Sequence, residues 1–246
     1  MIVLGHRGGR GHGWPPENTL AAFARAIDEG ADGVELDVRL TADGVPVVLH
    51  DPTLAYVTEG EDRRPVHRMA RADLPRLEGD AEIPSLEEAL DALRGKIVNV
   101  ELKADVAGSA RLGHVPDRLR LARAAAAVVA RASGRGAAEI VFTSFDPLTV
   151  LALAAIAPKV PRGVLVDPRM PKATIALPLA MRPAIVAAHI HQRVATPARI
   201  ERLRRAGLRV CAWTVDDPAR ARALAAQGVA WIITDWPAEI VSLRRT

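Results

Sequence analysis

The chain has 246 residues, 49% of them hydrophobic, and a formal net charge of +4, so it can form one α/β barrel or two small domains. Its single cysteine, Cys211, excludes an internal disulfide framework and is typical of a reducing compartment. The basic residues are scattered among Asp and Glu, which argues against a nucleic-acid-binding protein. No apolar run reaches the roughly 20 residues that span a bilayer, and no basic leader opens the chain. We therefore expect a cytoplasmic protein without stable membrane insertion.

The first predicted strand, residues 2–4, runs directly into a glycine-rich turn at residues 5–9 that carries His6 and Arg7. Such a turn at the carboxyl end of a strand can bring backbone amides and polar side chains close to an anion. After a Gly- and Pro-rich loop, the apolar spacing of residues 17–29 predicts a helix with Asn18 as its N-cap candidate. The first unit is therefore predicted as a strand, an anion-binding turn and a helix.

The next predicted strand, residues 32–40, carries acidic side chains at alternate positions. Residues two apart leave a strand by the same face, so Glu35 and Asp37 point together while the aliphatic residues beside them face the other way. Two buried carboxylates repel each other, so the pair indicates a cation between them or a proton on one of them. The alternative is an edge strand with a solvated face.

A turn at residues 42–44 leads to a second extended run, residues 45–49, which ends at His50. We interpret this run as the continuation of the same strand. Residues 53–83 are polar, show little periodicity and are too long for an ordinary connection. The sequence thus predicts a short polar insertion after the second strand.

The rest of the chain alternates strands and helices. Ser85 and Glu88 form a Ser-x-x-Glu helix start that predicts a helix at residues 85–95. The strand predicted at residues 97–103 has Glu101 and Lys103 on one face. Further strands are predicted at residues 140–143, 163–166, 185–189, 210–214 and 231–234, and further helices at residues 116–133, 147–157, 173–179, 197–206, 218–227 and from 237.

These elements predict the fold class. Counting residues 32–49 as one interrupted strand gives eight strand–helix units, and such alternation implies a parallel sheet. Eight units in a chain of this length match a closed (β/α)8 TIM barrel. We therefore expect residues 1–246 to form a single barrel domain with a short insertion at about residues 53–83. A doubly wound open sheet is the alternative.

Functional residues of such a barrel gather at the carboxyl ends of its strands, and the unusual polar residues of this sequence fall there. Three of them, Glu35, Asp37 and Glu101, supply hard oxygen ligands that suit one divalent cation, Mg²⁺ or Ca²⁺, and do not suit zinc. Two others, Arg7 and Lys103, add positive charge for an anionic group such as a phosphate. The full set is His6, Arg7, Glu35, Asp37, His50, Glu101, Lys103, Trp213 and Asp235.

Two histidines flank the predicted metal site, and imidazole is the side chain that titrates nearest to neutral pH. His6 and His50 are therefore candidates for a general base and a general acid. A lone histidine is more often structural, so this assignment depends on the convergence of the whole set. We expect His189 and His191, at the end of the sixth strand, to have a supporting or surface role.

Eight short motifs occur in order over nearly the whole chain: His6-Arg7-Gly8, Pro16-Glu17-Asn18-Thr19, Gly30-Ala31-Asp32, Glu35-Leu36-Asp37, His50-Asp51-Pro52, Glu101-Leu102-Lys103, Ala212-Trp213-Thr214-Val215 and Thr234-Asp235. Together they resemble the glycerophosphodiester phosphodiesterase family. The resemblance implies a TIM barrel and metal-dependent hydrolysis of glycerophosphodiesters to sn-glycerol 3-phosphate and an alcohol. The segment at residues 53–83 looks shorter than the insertion of that family, so the alcohol stays open.

The resemblance also implies a role for each matching residue. In mechanisms of such enzymes, a glycerol hydroxyl attacks phosphorus and water then opens the cyclic phosphate. Glu17 and Asn18 lie in a shared motif, and we expect loop and helix-cap roles for them. The implied roles are metal binding by Glu35, Asp37 and Glu101, acid–base catalysis by His6 and His50, phosphate contact by Arg7 and Lys103, and a position beside the substrate for Trp213.

Two other functions are compatible with parts of this pattern. A related phospholipase D-like barrel acting on lysophospholipids would need an apolar loop that seeks the lipid surface, and the polar residues 53–83 count against it. A non-catalytic barrel that senses a phosphodiester would have no use for both histidines and all three carboxylates. We therefore expect an enzyme whose substrate is a small glycerophosphodiester.

Overall fold

The structure is a computed structural model that describes residues 1–77, 81–104, 115–133, 139–170 and 176–245. Within these ranges, eight parallel strands close into a barrel and a ninth, antiparallel strand flanks one of them. The first strand pairs in parallel with both the second and the last, so the TIM barrel is confirmed and the open sheet is wrong. The strands are β1 (Ile2–His6), β2 (Gly33–Leu40), β3 (Pro46–Val48), β4 (Ile97–Leu102), β5 (Ile140–Ser144), β6 (Arg162–Val166), β7 (Ala187–His191), β8 (Arg209–Trp213) and β9 (Trp231–Thr234).

Helices separate most of the barrel strands along the chain. Those of the described residues are α1 (Leu20–Asp28), α2 (Leu86–Ala92), α3 (Val115–Ser133), α4 (Pro147–Ile156), α5 (Leu177–Ala180), α6 (Pro197–Arg205), α7 (Pro218–Ala226) and α8 (Pro237–Ser242). The capping box predicted at Ser85 is present at the start of α2. The helix predicted at residues 173–179 falls partly on residues 171–175, outside the described part, and α5 is one turn from Leu177. None of the described helices combines the length and the apolar character needed to cross a membrane.

The extended run at residues 45–49 is not a continuation of the second strand, as the sequence suggested. Its core, β3, pairs with β2 in antiparallel register, with Val38 opposite Val48. The chain therefore folds back as a hairpin instead of continuing along the barrel wall. The backbone N–H of Leu49 donates to the carbonyl of Asp37 at 2.9 Å, so the returning strand brings His50 back to the level of Asp37.

Strand β7 starts two residues later than predicted and ends at His191 instead of His189. Ile185, which the prediction placed in the strand, is buried with the apolar residues of the outer layer instead. The shift places His189 in the middle of the strand, where it is fully buried. Burial rules out the surface alternative for His189, and its supporting role stays a prediction.

An apolar cluster inside the barrel lies beneath the polar strand ends. Leu4, Cys211 and Ile233 belong to this cluster, together with Val141 and Trp231. Leu4 lies two residues before His6 on the same strand, and Cys211 and Ile233 have the same relation to Trp213 and Asp235. Because side chains two apart share a face, the apolar cluster forms the floor beneath the rim.

The insertion after β3 is less polar than its sequence suggested. Its apolar residues lie in turns, including the 3₁₀ turns Val66–Arg68 and Arg71–Asp73, so they show no strand or helix periodicity. They nevertheless pack on β3 and form a small core of their own. The buried members of this core are Val47, Leu49, Leu54, Val66, Met69, Leu77 and Ile83.

Candidate active site

The three predicted metal ligands meet at the carboxyl ends of two neighbouring strands. Asp37 on β2 is the register partner of Glu101 on β4, and Glu35 lies two residues before Asp37 on the same face. One oxygen from each carboxylate lies within 4.8 Å of the other two. The residue exposures are 4% for Glu35, 1% for Asp37 and 6% for Glu101, so the alternative of a solvated edge strand is wrong. We call these three residues the carboxylate centre.

Two cationic side chains contact the carboxylate centre. Lys103 Nζ lies 3.0 Å from Asp37 Oδ1 and 2.5 Å from Glu101 Oε1, and Arg7 Nε lies 3.0 Å from Asp37 Oδ2. Burial would raise the pKa of Asp37, but Lys103 and Arg7 outweigh it and hold that pKa well below its usual range. Asp37 is therefore the member of the centre that carries a settled negative charge.

The two glutamates carry the unbalanced charge of the centre. Burial, followed by repulsion from Asp37 and Glu101, raises the pKa of Glu35 well above its usual value. Burial also raises the pKa of Glu101, although Lys103 opposes the shift. A divalent cation among the three carboxylates would relieve this repulsion, and every donor is a hard oxygen. The residues therefore fit Mg²⁺ or Ca²⁺.

A tight turn after β1 brings Arg7 to the carboxylate centre. The N–H of Gly8 donates to the carbonyl of Gly5 at 3.2 Å, and a Cβ on Gly5 would lie 1.9 Å from the Gly8 oxygen, so Gly5 must be glycine. Arg7 itself has a left-handed φ of 53°. This conformation directs its backbone N–H to Glu35 Oε2 at 3.1 Å while its side chain reaches Asp37.

Asn18 does not cap α1, as the sequence predicted. The cap is Thr19, whose hydroxyl accepts from the N–H of Ala22 at 3.2 Å. Asn18 has a left-handed φ of 61° and turns its amide into the site, where Nδ2 donates to Asp37 Oδ2 at 3.0 Å. Its Oδ1 accepts from the Asp37 N–H at 3.3 Å, so Asn18 fixes the position of Asp37.

Glu17 lies in the loop before α1, as predicted, and its side chain contacts two arginines. Its Oε1 accepts from Arg7 Nη1 at 2.7 Å, and its Oε2 lies 3.4 Å from Arg10 Nη1. Glu17 therefore forms ion pairs with both Arg7 and Arg10. Sequence reasoning assigned Arg10 no function, because only the folded turn shows what this arginine reaches.

The two histidines each bond a carboxylate through Nδ1. His6 Nδ1 lies 2.6 Å from Asp235 Oδ1, and His6 Nε2 lies 3.9 Å from Glu35 Oε2. His50 Nδ1 lies 2.7 Å from Asp51 Oδ1. Burial lowers the pKa of His50, with Asp37 opposing the shift. Both rings therefore lie at the rim that carries the carboxylate centre.

Trp213 lies across the barrel mouth among other rings. Its centroid is 5.5 Å from that of Phe145 and 5.0 Å from that of His191, both edge-to-face, and its Nε1 donates to the carbonyl of His189 at 3.1 Å. Burial lowers the pKa of His189 to about 3, so this imidazole stays neutral near neutral pH. Phe145, which follows β5 directly, was not predicted as a site residue. The side chains of Trp213, Phe145 and His191 therefore form a wall, and the His189 carbonyl helps to fix the orientation of the Trp213 ring.

The sequence model of the Glycerophosphoryl diester phosphodiesterase family matches residues 6–239 of the chain. The glycerophosphodiester phosphodiesterase of Caldanaerobacter subterraneus subsp. tengcongensis is 28% identical over 255 residues, which cover 99% of this chain and 98% of that protein. These matches run through both halves of the barrel.

Solved structures of related proteins have the same fold. The glycerophosphodiester phosphodiesterase of Agrobacterium tumefaciens is 30% identical with a TM-score of 0.77, and the match covers 100% of both chains. A phosphodiesterase of Oleispira antarctica, determined in complex with the product sn-glycerol-3-phosphate, is 27% identical with a TM-score of 0.81. That match covers 100% of this chain and 97% of the other.

Proposed function

The chain belongs to the glycerophosphoryl diester phosphodiesterase family and is a phosphodiesterase, and on this premise we propose that it hydrolyses glycerophosphodiesters to sn-glycerol 3-phosphate and an alcohol. The observation that carries the proposal is the buried carboxylate centre with two cations and two histidines on one rim. The product bound to the Oleispira antarctica relative supports the same product here.

Glu35, Asp37 and Glu101 hold one Mg²⁺ or Ca²⁺ in this proposal. Their oxygens lie close enough together to share an ion, and burial followed by repulsion from neighbouring carboxylates raises the pKa values of Glu35 and Glu101. Such an ion would offset the repulsion. When bound, the cation acts as a Lewis acid that offsets negative charge on phosphorus-bound oxygens. The protein's part is to keep its three ligands fixed and buried.

Arg7 and Lys103 bind the phosphate in this proposal. Both remain charged beside the carboxylate centre, because the negative charges around them outweigh the effect of burial and raise the pKa of each. Their guanidinium and ammonium groups offer only donors, as a phosphate requires. They stabilise the charge that develops on the phosphate oxygens as the attacking hydroxyl approaches.

His6 and His50 move the protons. One ring takes the proton of the attacking glycerol hydroxyl as its oxygen bonds to phosphorus, and the other protonates the departing alcohol as its bond to phosphorus breaks. A water molecule then opens the cyclic phosphate by the reverse transfers, which returns both rings to their first state. Trp213 lies on the opposite side of the mouth and flanks the rest of the substrate.

Cys211 is buried as a free thiol in the barrel interior, which supports a reducing, cytoplasmic location. Burial also raises the pKa of this thiol above its usual value, so it stays protonated and unreactive. Cys211 therefore has no part in the proposed reaction.

The test is release of glycerol 3-phosphate from glycerophosphocholine and related diesters with different alcohols. We expect turnover that EDTA abolishes and that Mg²⁺ or Ca²⁺ restores. A micellar lysophospholipid in parallel assays separates the proposal from the phospholipase D-like alternative. Full activity in EDTA would contradict the metal site, and turnover of the lysophospholipid alone would contradict the substrate class.

A further inference from the structure

Asp235 follows β9 and makes the shorter of the two carboxylate–histidine contacts of the site. Its Oδ1 lies 2.6 Å from His6 Nδ1, although the two residues are 229 positions apart in the chain. We propose that Asp235 is the positioning residue of His6: it holds the ring proton on Nδ1 and turns Nε2 towards the carboxylate centre. This inference rests on the proposed function of His6 in proton transfer.

The charge of Asp235 indicates which ring nitrogen of His6 carries the proton. Burial would raise the pKa of Asp235, but its contacts with His6 and Arg10 outweigh burial and lower it, so the carboxylate is ionised and only accepts. An unprotonated Nδ1 at 2.6 Å would place two lone pairs against each other. Nδ1 therefore donates, and in the neutral ring Nε2 keeps the free lone pair. That nitrogen lies 3.9 Å from Glu35 Oε2, at the edge of the carboxylate centre.

Arg10 holds the Asp235 carboxylate in the position from which it contacts His6. Its Nε donates to Asp235 Oδ1 at 3.2 Å, and its Nη1 lies 3.4 Å from Glu17 Oε2. The backbone N–H of Arg10 also donates to the carbonyl of Asp235 at 3.0 Å. Arg10 thus keeps Asp235 ionised and holds the strand end of β9 against the turn that carries His6.

The loop that carries Asp235 is held by a second carboxylate. Asp216 Oδ1 accepts from the backbone N–H of Asp235 at 2.8 Å and from the hydroxyl of Thr234 at 2.9 Å. The Thr234 hydroxyl in turn accepts from the N–H of Trp236 at 3.0 Å. Contacts other than the one with His6 therefore fix the position of Asp235. A residue that positions another side chain needs such independent support.

Among the described residues, His50 has weaker support than His6. Asp51 is the sequence neighbour of His50, and the side chains of this pair are 33% and 34% exposed, against 12% for His6 and 18% for Asp235. A hydrogen bond shared with water orients a ring less strictly than a buried one. Asp235 therefore restricts the ring orientation of His6 more strictly than Asp51 restricts that of His50.

The first experiment needs no variant of Asp235. In ¹⁵N-labelled wild-type protein at a pH where the rings are neutral, long-range ¹H–¹⁵N spectra distinguish Nδ1–H from Nε2–H rings. We expect the His6 signals, assigned by their absence in His6→Gln, to show the Nδ1–H form. An Nε2–H ring at His6 would overturn the proposal whatever the activity of the protein.

The second experiment compares Asp235→Asn with wild type. We expect kcat to fall by roughly 10²-fold or more, while KM and the rise in Tm caused by Mg²⁺ stay within about twofold of the wild-type values. Retention of most of the wild-type kcat would refute the positioning role. Failure of the wild-type enzyme to release glycerol 3-phosphate would instead refute the proposed function, and the spectra would still test the contact.

The matched control is Asp217→Ala, two residues beyond Val215 on the same rim. Asp217 caps α7 by accepting from the N–H groups of Ala219 and Arg220, and it is exposed. We expect this variant to lower Tm without changing kcat beyond about twofold, since a cap supports only the helix. If the control lost as much kcat as Asp235→Asn, the effect would be general loosening and the proposal would fail.

Discussion

The two halves of the barrel supply different chemistry to the same rim. The first half, β1 to β4, supplies the carboxylate centre, the cations Arg7 and Lys103 and the turn that carries His6. The second half, β5 to β9, supplies rings at its strand ends, including Phe145 and Trp213. Asp235 also belongs to the second half, and it reaches back across the closure of the barrel to His6.

This difference separates two tasks that a diesterase must perform. Charge changes at phosphorus during the reaction, and the fixed ions of the first half are arranged to respond to it. The second half can bind the rest of the substrate through shape and stacking, which depend little on charge. Substitutions in the first half should therefore lower kcat, and substitutions in the second half should mainly raise KM.

The largest effect is expected in the carboxylate centre. Glu35→Gln removes one of the proposed metal ligands, so kcat/KM should fall by roughly 10³-fold or more. Metal stabilisation is worth several kcal/mol, and each ~1.4 kcal/mol is a factor of ten in rate. In EDTA the same variant should have a higher Tm than wild type, because burial beside Asp37 and Glu101 penalises any charge on Glu35. Steady-state kinetics measure the change in kcat/KM, and thermal melts in EDTA measure the change in Tm. A variant that is active, or less stable than wild type in EDTA, would contradict this account.

The next effect is expected at the histidines of the first half. His6→Ala and His50→Ala should each lower kcat by at least roughly 10²-fold, the scale of general acid–base help. Metal binding should persist, because neither ring is a member of the carboxylate centre. Kinetics and the Mg²⁺-induced rise in Tm test the two statements separately. Near-wild-type activity in either variant would show that its ring moves no proton.

A smaller effect is expected in the second half. Trp213→Leu removes the ring that packs edge-to-face on Phe145 and His191. KM should rise by roughly two- to thirteenfold, matching the ~0.5–1.5 kcal/mol of an aromatic contact, with kcat little changed. A panel of diesters with different alcohols measures this change. A loss of kcat with unchanged KM would show that the comparison of the two halves is wrong.

The smallest effect is expected in how pH changes the rise in Tm that Mg²⁺ causes. The pKa values of Glu35 and Glu101 are raised in the folded protein, so their contribution to stability is present at low pH and is lost as pH rises through the window above 4.5. A cation binds the deprotonated carboxylates and relieves their repulsion. The rise in Tm on adding Mg²⁺ should therefore be larger at about pH 8 than at about pH 5.5. An equal or smaller rise at the higher pH would show that these glutamates do not bind the ion.

The sequence predicted the parts of the site that follow from local periodicity. Alternation in β2 placed Glu35 and Asp37 on one face, and the same reasoning in β4 placed Glu101 and Lys103 together. The closed barrel then brought the two strands side by side. The alternation of side chains along a strand and the number of strands both follow from the amino-acid sequence. Both can therefore be predicted without the structure.

Other parts depend on contacts between distant residues. Asn18 looked like a helix cap because its left-handed backbone and its partner Asp37 appear only in the folded protein. The return of the chain at β3 had a local signal that was missed: Asp43-Gly44 is a hairpin turn, and Gly44 has a φ of 82°. The contact between Asp235 and His6 had no local signal at all.

The ion pairs of Lys103 bear on how the chain folds when no divalent cation is bound. Its ammonium lies between Asp37 and Glu101, and Arg7 balances Asp37 from the other side. Much of the negative charge is thus balanced by the polypeptide itself, so we expect the barrel to fold without a bound divalent cation. A thermal melt in EDTA should therefore still show a cooperative transition.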